Sequence, residues 1–121
     1  MILVHGFGCD QHMWRYVTPA FLNEFTVIRY DLTGSGRSDL SAYDRDKYAT
    51  LEGHATDLLE ICDALGVQEA VVVGHSVSAM IAVLAANRKP SRISSITSAL
   101  SEAIAAMRNV LTPAQLALAK Q

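Results

Sequence analysis

Ser76 stands in the run Gly74-His75-Ser76-Val77-Ser78, directly after the valine run Ala70–Val73 and ahead of an apolar stretch reaching about Asn87. A serine on a sharp turn between a buried strand and a buried helix is the setting of a nucleophile elbow. The turn lifts the hydroxyl above the sheet, and small flanking residues let the strand and helix backbones pass closely. The backbone N–H of Val77 then points to where negative charge develops on an attacked carbonyl, aided by the helix N-terminus. Ser78 occupies the place where this pattern usually ends in glycine. The alternative is a chance Gly-x-Ser in an ordinary strand-to-helix turn.

His5-Gly6-Phe7-Gly8 closes an earlier apolar run, Ile2 to Val4. Glycines there permit unusual backbone angles and close approach to a substrate oxygen. The backbone N–H of Phe7, paired with that of Val77, makes a two-donor oxyanion hole; taken alone, the same residues read equally well as a plain turn. Met13, Trp14 and Met80 are the expected lining of the substrate site. A third glycine-containing segment, Asp31-Leu-Thr-Gly34-Ser-Gly36-Arg37-Ser38-Asp39, has neither the Lys-Ser/Thr ending of a phosphate loop nor a third glycine opening a helix. It reads as a structural turn held by Asp31 and Arg37.

A serine nucleophile needs a base, and the chain has four histidines. His75 neighbours Ser76 and is expected to point away from it. His5 ends a strand beneath the glycine loop and is expected to hydrogen-bond there. His54 falls in the first turn of a helix, a solvated position by default. His12 opens the segment after the glycine loop and either reaches the mouth of the site as a base or is a surface histidine. The two cysteines, Cys9 and Cys62, match no metal or redox spacing, and Cys62 falls on the apolar face of a helix as a small hydrophobe. No metal or cofactor is implied.

The elements that must position these residues alternate. Runs of β type at Ile2–Val4, Thr26–Tyr30 and Ala70–Val73 are separated by helical patterns over Gln11–Leu22, which Pro19 interrupts, and Leu51–Leu65. Thr50 can cap the second helix and Gly66 can end it. A valine run without alternation marks a strand buried on both faces, so the class is α/β, a three-layer sandwich with a short, mainly parallel sheet. Beyond Pro90, Arg92–Ala99 reads either as a fourth strand or as part of a helix. The 3-4-3-4-3 spacing of Ile93, Ile96, Leu100, Ala103, Met107 and Val110 favours the helix, with Thr112-Pro113 opening a short closing one.

The 121 residues, half of them hydrophobic, make one domain (1–121) and exclude wholesale disorder. Ten basic against twelve acidic residues leave no surplus to neutralise phosphates, so nucleic acid is a poor partner. No stretch is apolar for long enough to span a bilayer and no secretion signal is recognisable, so the expected setting is cytoplasmic and reducing.

Together, His5–Trp14, Tyr30–Asp39, Leu51-Glu-Gly53 and Val73–Ser78 resemble the α/β-hydrolase superfamily. Within it they are most similar to the stress-response regulatory hydrolases of Gram-positive bacteria and the plant strigolactone and karrikin receptors. The resemblance runs from residue 1 to about Ile93 and leaves 94–121 as a divergent, helical tail. It implies Ser76 as nucleophile, the Phe7 and Val77 amides as oxyanion hole, and a structural role for Asp31. It also implies a chain roughly twice as long, whose acid and base lie on later strands. The expectation is therefore a minimal, truncated hydrolase core. Its activity is slow cleavage of small short-acyl esters through an acyl-Ser76 intermediate; a non-catalytic ligand-binding or signalling module and an inert fragment are the alternatives. The family's strand order leaves the second strand and the valine strand as edges, which invites a homodimer exchanging C-terminal helices.

Overall fold

The computed structural model describes residues 1–99. Four parallel strands, β1 (Ile2–Val4), β2 (Ile28–Tyr30), β3 (Ala70–His75) and β4 (Ile93–Ala99), form one sheet in the order β2-β1-β3-β4. Two helices, α1 (Glu52–Ala64) and α2 (Val77–Arg88), link the later strands. In the register, Ile2 lies opposite Ile28 on one side and Val72 on the other.

Alternation along the strands divides the core. Ile2, Val4, Ala70 and Val72 face both helices and pack with Leu58, Cys62, Ile81 and Ala85. Leu3 and Val73 face the opposite side and pack with Trp14, Val17 and Ala99. The sheet thus lies between the helix pair and the segment that follows β1. That segment is not the single helix its spacing suggests. It forms two 3-10 turns, Gln11–Trp14 and Thr18–Phe21, with Pro19 in the first turn of the second, where its missing N–H costs nothing.

α1 begins and ends close to expectation. The Glu52 amide donates to Thr50 Oγ1 at 3.3 Å, and Gly66 just beyond the helix adopts a left-handed φ of 67°. Arg88 at the end of α2 ties the helices together, donating to Glu52 Oε2 and Thr56 Oγ1, each at 2.6 Å.

The helical reading of residues 93–99 is overturned. These residues form β4, parallel to β3, with Val72 opposite Ile96 and His75 opposite Ala99. Ile93 and Ile96 therefore begin no helical seam. They pack against the core on the helix side of the sheet, and strand pairing with a fully buried neighbour outweighs a heptad-like spacing. The valine strand is interior, so the described sheet has β2 and β4 at its edges. The rest of the seam, from Leu100 to Val110, and the helix expected at Thr112-Pro113 lie outside the described residues.

Candidate active site

Ser76 has φ 56° and ψ −125°, the one positive φ of a non-glycine residue among those described. Such a conformation is strained for an L-residue and persists only where its surroundings enforce it. Three contacts do so. A Cβ on Gly74 would lie 2.5 Å from the Ala79 nitrogen, so only glycine lets the end of β3 pass the start of α2. The Ser76 amide donates to the Ala99 carbonyl at 3.2 Å, and the Ser76 carbonyl accepts from the Ala79 amide at 3.1 Å. Ser76 itself is exposed, on a turn whose supports are buried.

The neighbouring loop is a β-turn. The Cys9 amide donates to the Gly6 carbonyl at 3.2 Å and Gly8 takes φ 78°, the conformation that the third residue of a type II turn demands. Phe7 is the second residue of that turn, so its amide takes no part in the turn's own hydrogen bond. Val77, the first residue of α2, likewise has an amide with no intrahelical partner. β1 and β3 are paired, with Val4 opposite Gly74, so both amides leave the same end of adjacent strands. The loops also touch: a Cβ on Gly6 would come within 2.5 Å of His75 Nδ1.

Ser78 does more than replace a glycine. Its side chain is fully buried, and its hydroxyl donates to the carbonyl of His5, tying the first turn of α2 to the end of β1. His5 is buried beside it. Its Nε2 accepts from the Leu32 amide at 2.9 Å, and Nδ1 therefore carries the proton, donated to the Gly6 carbonyl at 2.7 Å. With both ring nitrogens engaged, His5 is a strut of the loop and has no capacity to act as a base. Burial, with a smaller contribution from His5, lowers the His75 pKa, so this ring too is neutral at pH 7.

The remaining expected residues are less uniformly placed. Phe7 (58% exposed) and Met80 (55%) present apolar surface, and Met13 is half-buried. Trp14 is fully buried in the core with Leu3, Val17 and Val73, which takes it off the open face expected for it. His12 is exposed and lines a cleft of about 370 Å³ with Asp10, Gln11, Arg29, Asp31 and Arg37. His54 is not solvated: it is 4% exposed and packs against Phe7 and Tyr48. Its helix-start position gave no sign of this, because the residues that cover it arrive from two distant loops. Ala99, whose carbonyl holds the elbow, was likewise hidden by the helical reading of β4. No cluster of His, Cys, Asp and Glu suited to a metal ion occurs among the described residues, and none of their helices is long and apolar enough to cross a membrane.

A strained serine at a strand-to-helix turn, facing a glycine turn on the adjacent parallel strand, defines a class of fold and site, and comparison with known proteins agrees. The family model of the alpha/beta hydrolase fold matches residues 1–118, past the point near Ile93 where the sequence resemblance stops. The chain belongs to the α/β-hydrolase family. Its relatives include the strigolactone esterase D14 of Arabidopsis thaliana, 42% identical over 96 residues, covering 79% of this chain and 36% of that protein. Among solved structures, a hydrolase from Oleispira antarctica superposes with a TM-score of 0.77 at 47% identity, covering 80% of this chain and 36% of the other. A thermophilic esterase from Thermogutta terrifontis gives a TM-score of 0.71 at 33% identity, covering 80% and 35%. The chain thus spans about a third of the length of the relatives it matches.

Proposed function

We propose that the protein is a serine carboxylic-ester hydrolase that cleaves small short-acyl esters through an acyl-Ser76 intermediate. The observation that carries this reading is the enforced left-handed φ of Ser76 beside the Gly6–Cys9 turn. Esterase-named relatives support the reaction class. In the proposed reaction the Ser76 hydroxyl oxygen attacks the ester carbonyl and the Phe7 and Val77 amides receive the oxyanion. The alcohol leaves, and water then releases the acid from Ser76. The exposed Phe7 and Met80 side chains offer apolar contact to a short acyl group.

The hydroxyl proton passes to His12 or to a group supplied by a second copy of the chain, since His5 is fully engaged. Without an aligned base, an oxyanion hole and binding alone still give an acceleration of about 10³-fold over water. Activated esters suffice for detection at that level. Hydrolysis of p-nitrophenyl acetate is expected from the parent protein and not from Ser76→Ala at matched concentration. Equal rates from the two would overturn the proposal, and ligand binding that survives Ser76→Ala without turnover would indicate a binding module instead.

A further inference from the structure

We propose that His54 is the positioning residue of the glycine turn: its neutral imidazole seats the Phe7 ring and thereby fixes the amide that receives the oxyanion. This extends the esterase reading and names a device it does not use. Four rings make a continuous ladder from the turn into the scaffold. Phe7 lies 5.8 Å from His54, His54 lies 4.8 Å from Tyr48, and Tyr48 stacks on Tyr43 at 5.3 Å and 18°. The middle of the ladder is anchored. The Tyr48 hydroxyl donates to Asp57 Oδ2 at 2.7 Å, and Thr33 Oγ1 donates to the same oxygen at 3.0 Å. The Phe7 end is held on one side only, since most of that ring is exposed.

His54 is buried with its Nδ1 lacking a hydrogen-bond partner among the described residues. The titratable groups around it are Asp57 on its own helix, Lys47 and Tyr48 from the preceding loop, and His5 at the end of β1. Asp57 is the one carboxylate in that set, and it is already committed: Lys47 Nζ takes Oδ1 at 2.8 Å while Tyr48 and Thr33 take Oδ2. An imidazolium at this position would therefore be buried with no free acceptor. Burial holds the His54 pKa below its ordinary value, against the opposing pull of Asp57. Acidification through that lowered value forces the ring out of the ladder, and Phe7 loses its seat.

A pH titration followed by amide and histidine-ring NMR from about pH 8 to about pH 5 tests this directly. The Phe7 amide signal is expected to move with the His54 ring, with a midpoint below about 6.5. In His54→Phe that movement disappears while the neutral-pH position of the Phe7 signal is kept. In His54→Ala the Phe7 signal is displaced already at neutral pH. With p-nitrophenyl acetate, His54→Ala is expected to lower kcat roughly tenfold with less effect on KM, and His54→Phe to restore it, because the ring rather than the proton does the seating. A Phe7 signal indifferent to the His54 titration would overturn the proposal, as would a His54→Phe protein as impaired as His54→Ala. If the parent protein shows no Ser76-dependent hydrolysis, the esterase reading fails while the NMR titration still decides the role of His54.

Discussion

The turn from β3 into α2 and the loop after β2 both leave the same sheet as glycine-containing segments, yet they are held by opposite means. The β3 turn is held by backbone. Gly74 lets β3 and α2 approach, the Ser76 amide reaches Ala99, and Ser78 reaches back to His5. The serine hydroxyl is left outside, on an exposed residue. The β2 loop is held by one carboxylate, with the Gln11 amide donating to Asp31 Oδ1 at 2.8 Å and the Arg37 amide to Oδ2 at 2.9 Å. Ser38 Oγ donates to the Asp31 carbonyl at 2.6 Å. The polar groups of that loop are spent inward. Glycines at strand ends therefore do not distinguish a site from a scaffold; whether a polar group remains unspent does.

Substitutions that exchange these two modes of support sharpen the contrast. Gly74→Ala places a Cβ against backbone that has nowhere to move, and should destabilise the protein by about 3 kcal/mol and abolish hydrolysis, as read from urea unfolding and p-nitrophenyl acetate turnover. Asp31→Ala strips two amides of their acceptor and should cost about 2 kcal/mol in the same unfolding assay, without removing Ser76-dependent hydrolysis from the folded fraction. Gly36→Ala, at φ 54° with its Cβ 2.5 Å from the Asp31 carboxylate, meets a side chain rather than backbone. Its cost should be smaller than that of Gly74→Ala, about 1–2 kcal/mol. Ser76→Gly should act in the other direction, raising stability by about 1 kcal/mol as the strained φ is relieved, while hydrolysis is lost.

Titration separates the two regions as well. Burial raises the Asp31 pKa, but the Gln11 and Arg37 amides outweigh it and leave the group below its ordinary value. Its contribution to stability is thus present above the unfolded-state pKa of about 3.9 and lost only as pH falls through the lower folded value. His54 and His75 have lowered folded pKa values, chiefly through burial, so the unfolded chain binds more protons than the folded one once pH drops below about 6.5. Thermal melts between about pH 7 and about pH 5 should show stability falling on the active-site side first. His54→Phe should flatten part of that slope, whereas Asp31→Ala should leave it unchanged.

Much of this arrangement was legible in the sequence because each feature is local. A valine run, a Gly-x-Ser and a helical stripe with Gly66 behind it specify β3, the elbow and α1 from neighbouring residues alone. The structural role of Asp31 was legible for the same reason, and so was burial of Cys62, whose thiol pKa is raised by that burial. What was not legible depends on residues distant in sequence. Strand β4 exists because β3 offers an edge to pair with, and the spacing of Ile93 and Ile96 does not record that. His54 is buried by Phe7 and Tyr48, which come from separate loops. Trp14 shares a sequence face with Met13, but the two part company once the segment winds as a 3-10 turn and Trp14 drops into the core.

The central claim is that the strained turn presents Ser76 as a nucleophile. The most direct measurement is to mix the protein with p-nitrophenyl acetate, quench with acid within the turnover time, and map the acetyl group by peptide mass spectrometry. An acetyl group on Ser76, absent from Ser76→Ala, is the predicted result. A protein that turns over the ester with Ser76 unmodified, or that carries the acetyl group on Cys9 or a lysine instead, would contradict it.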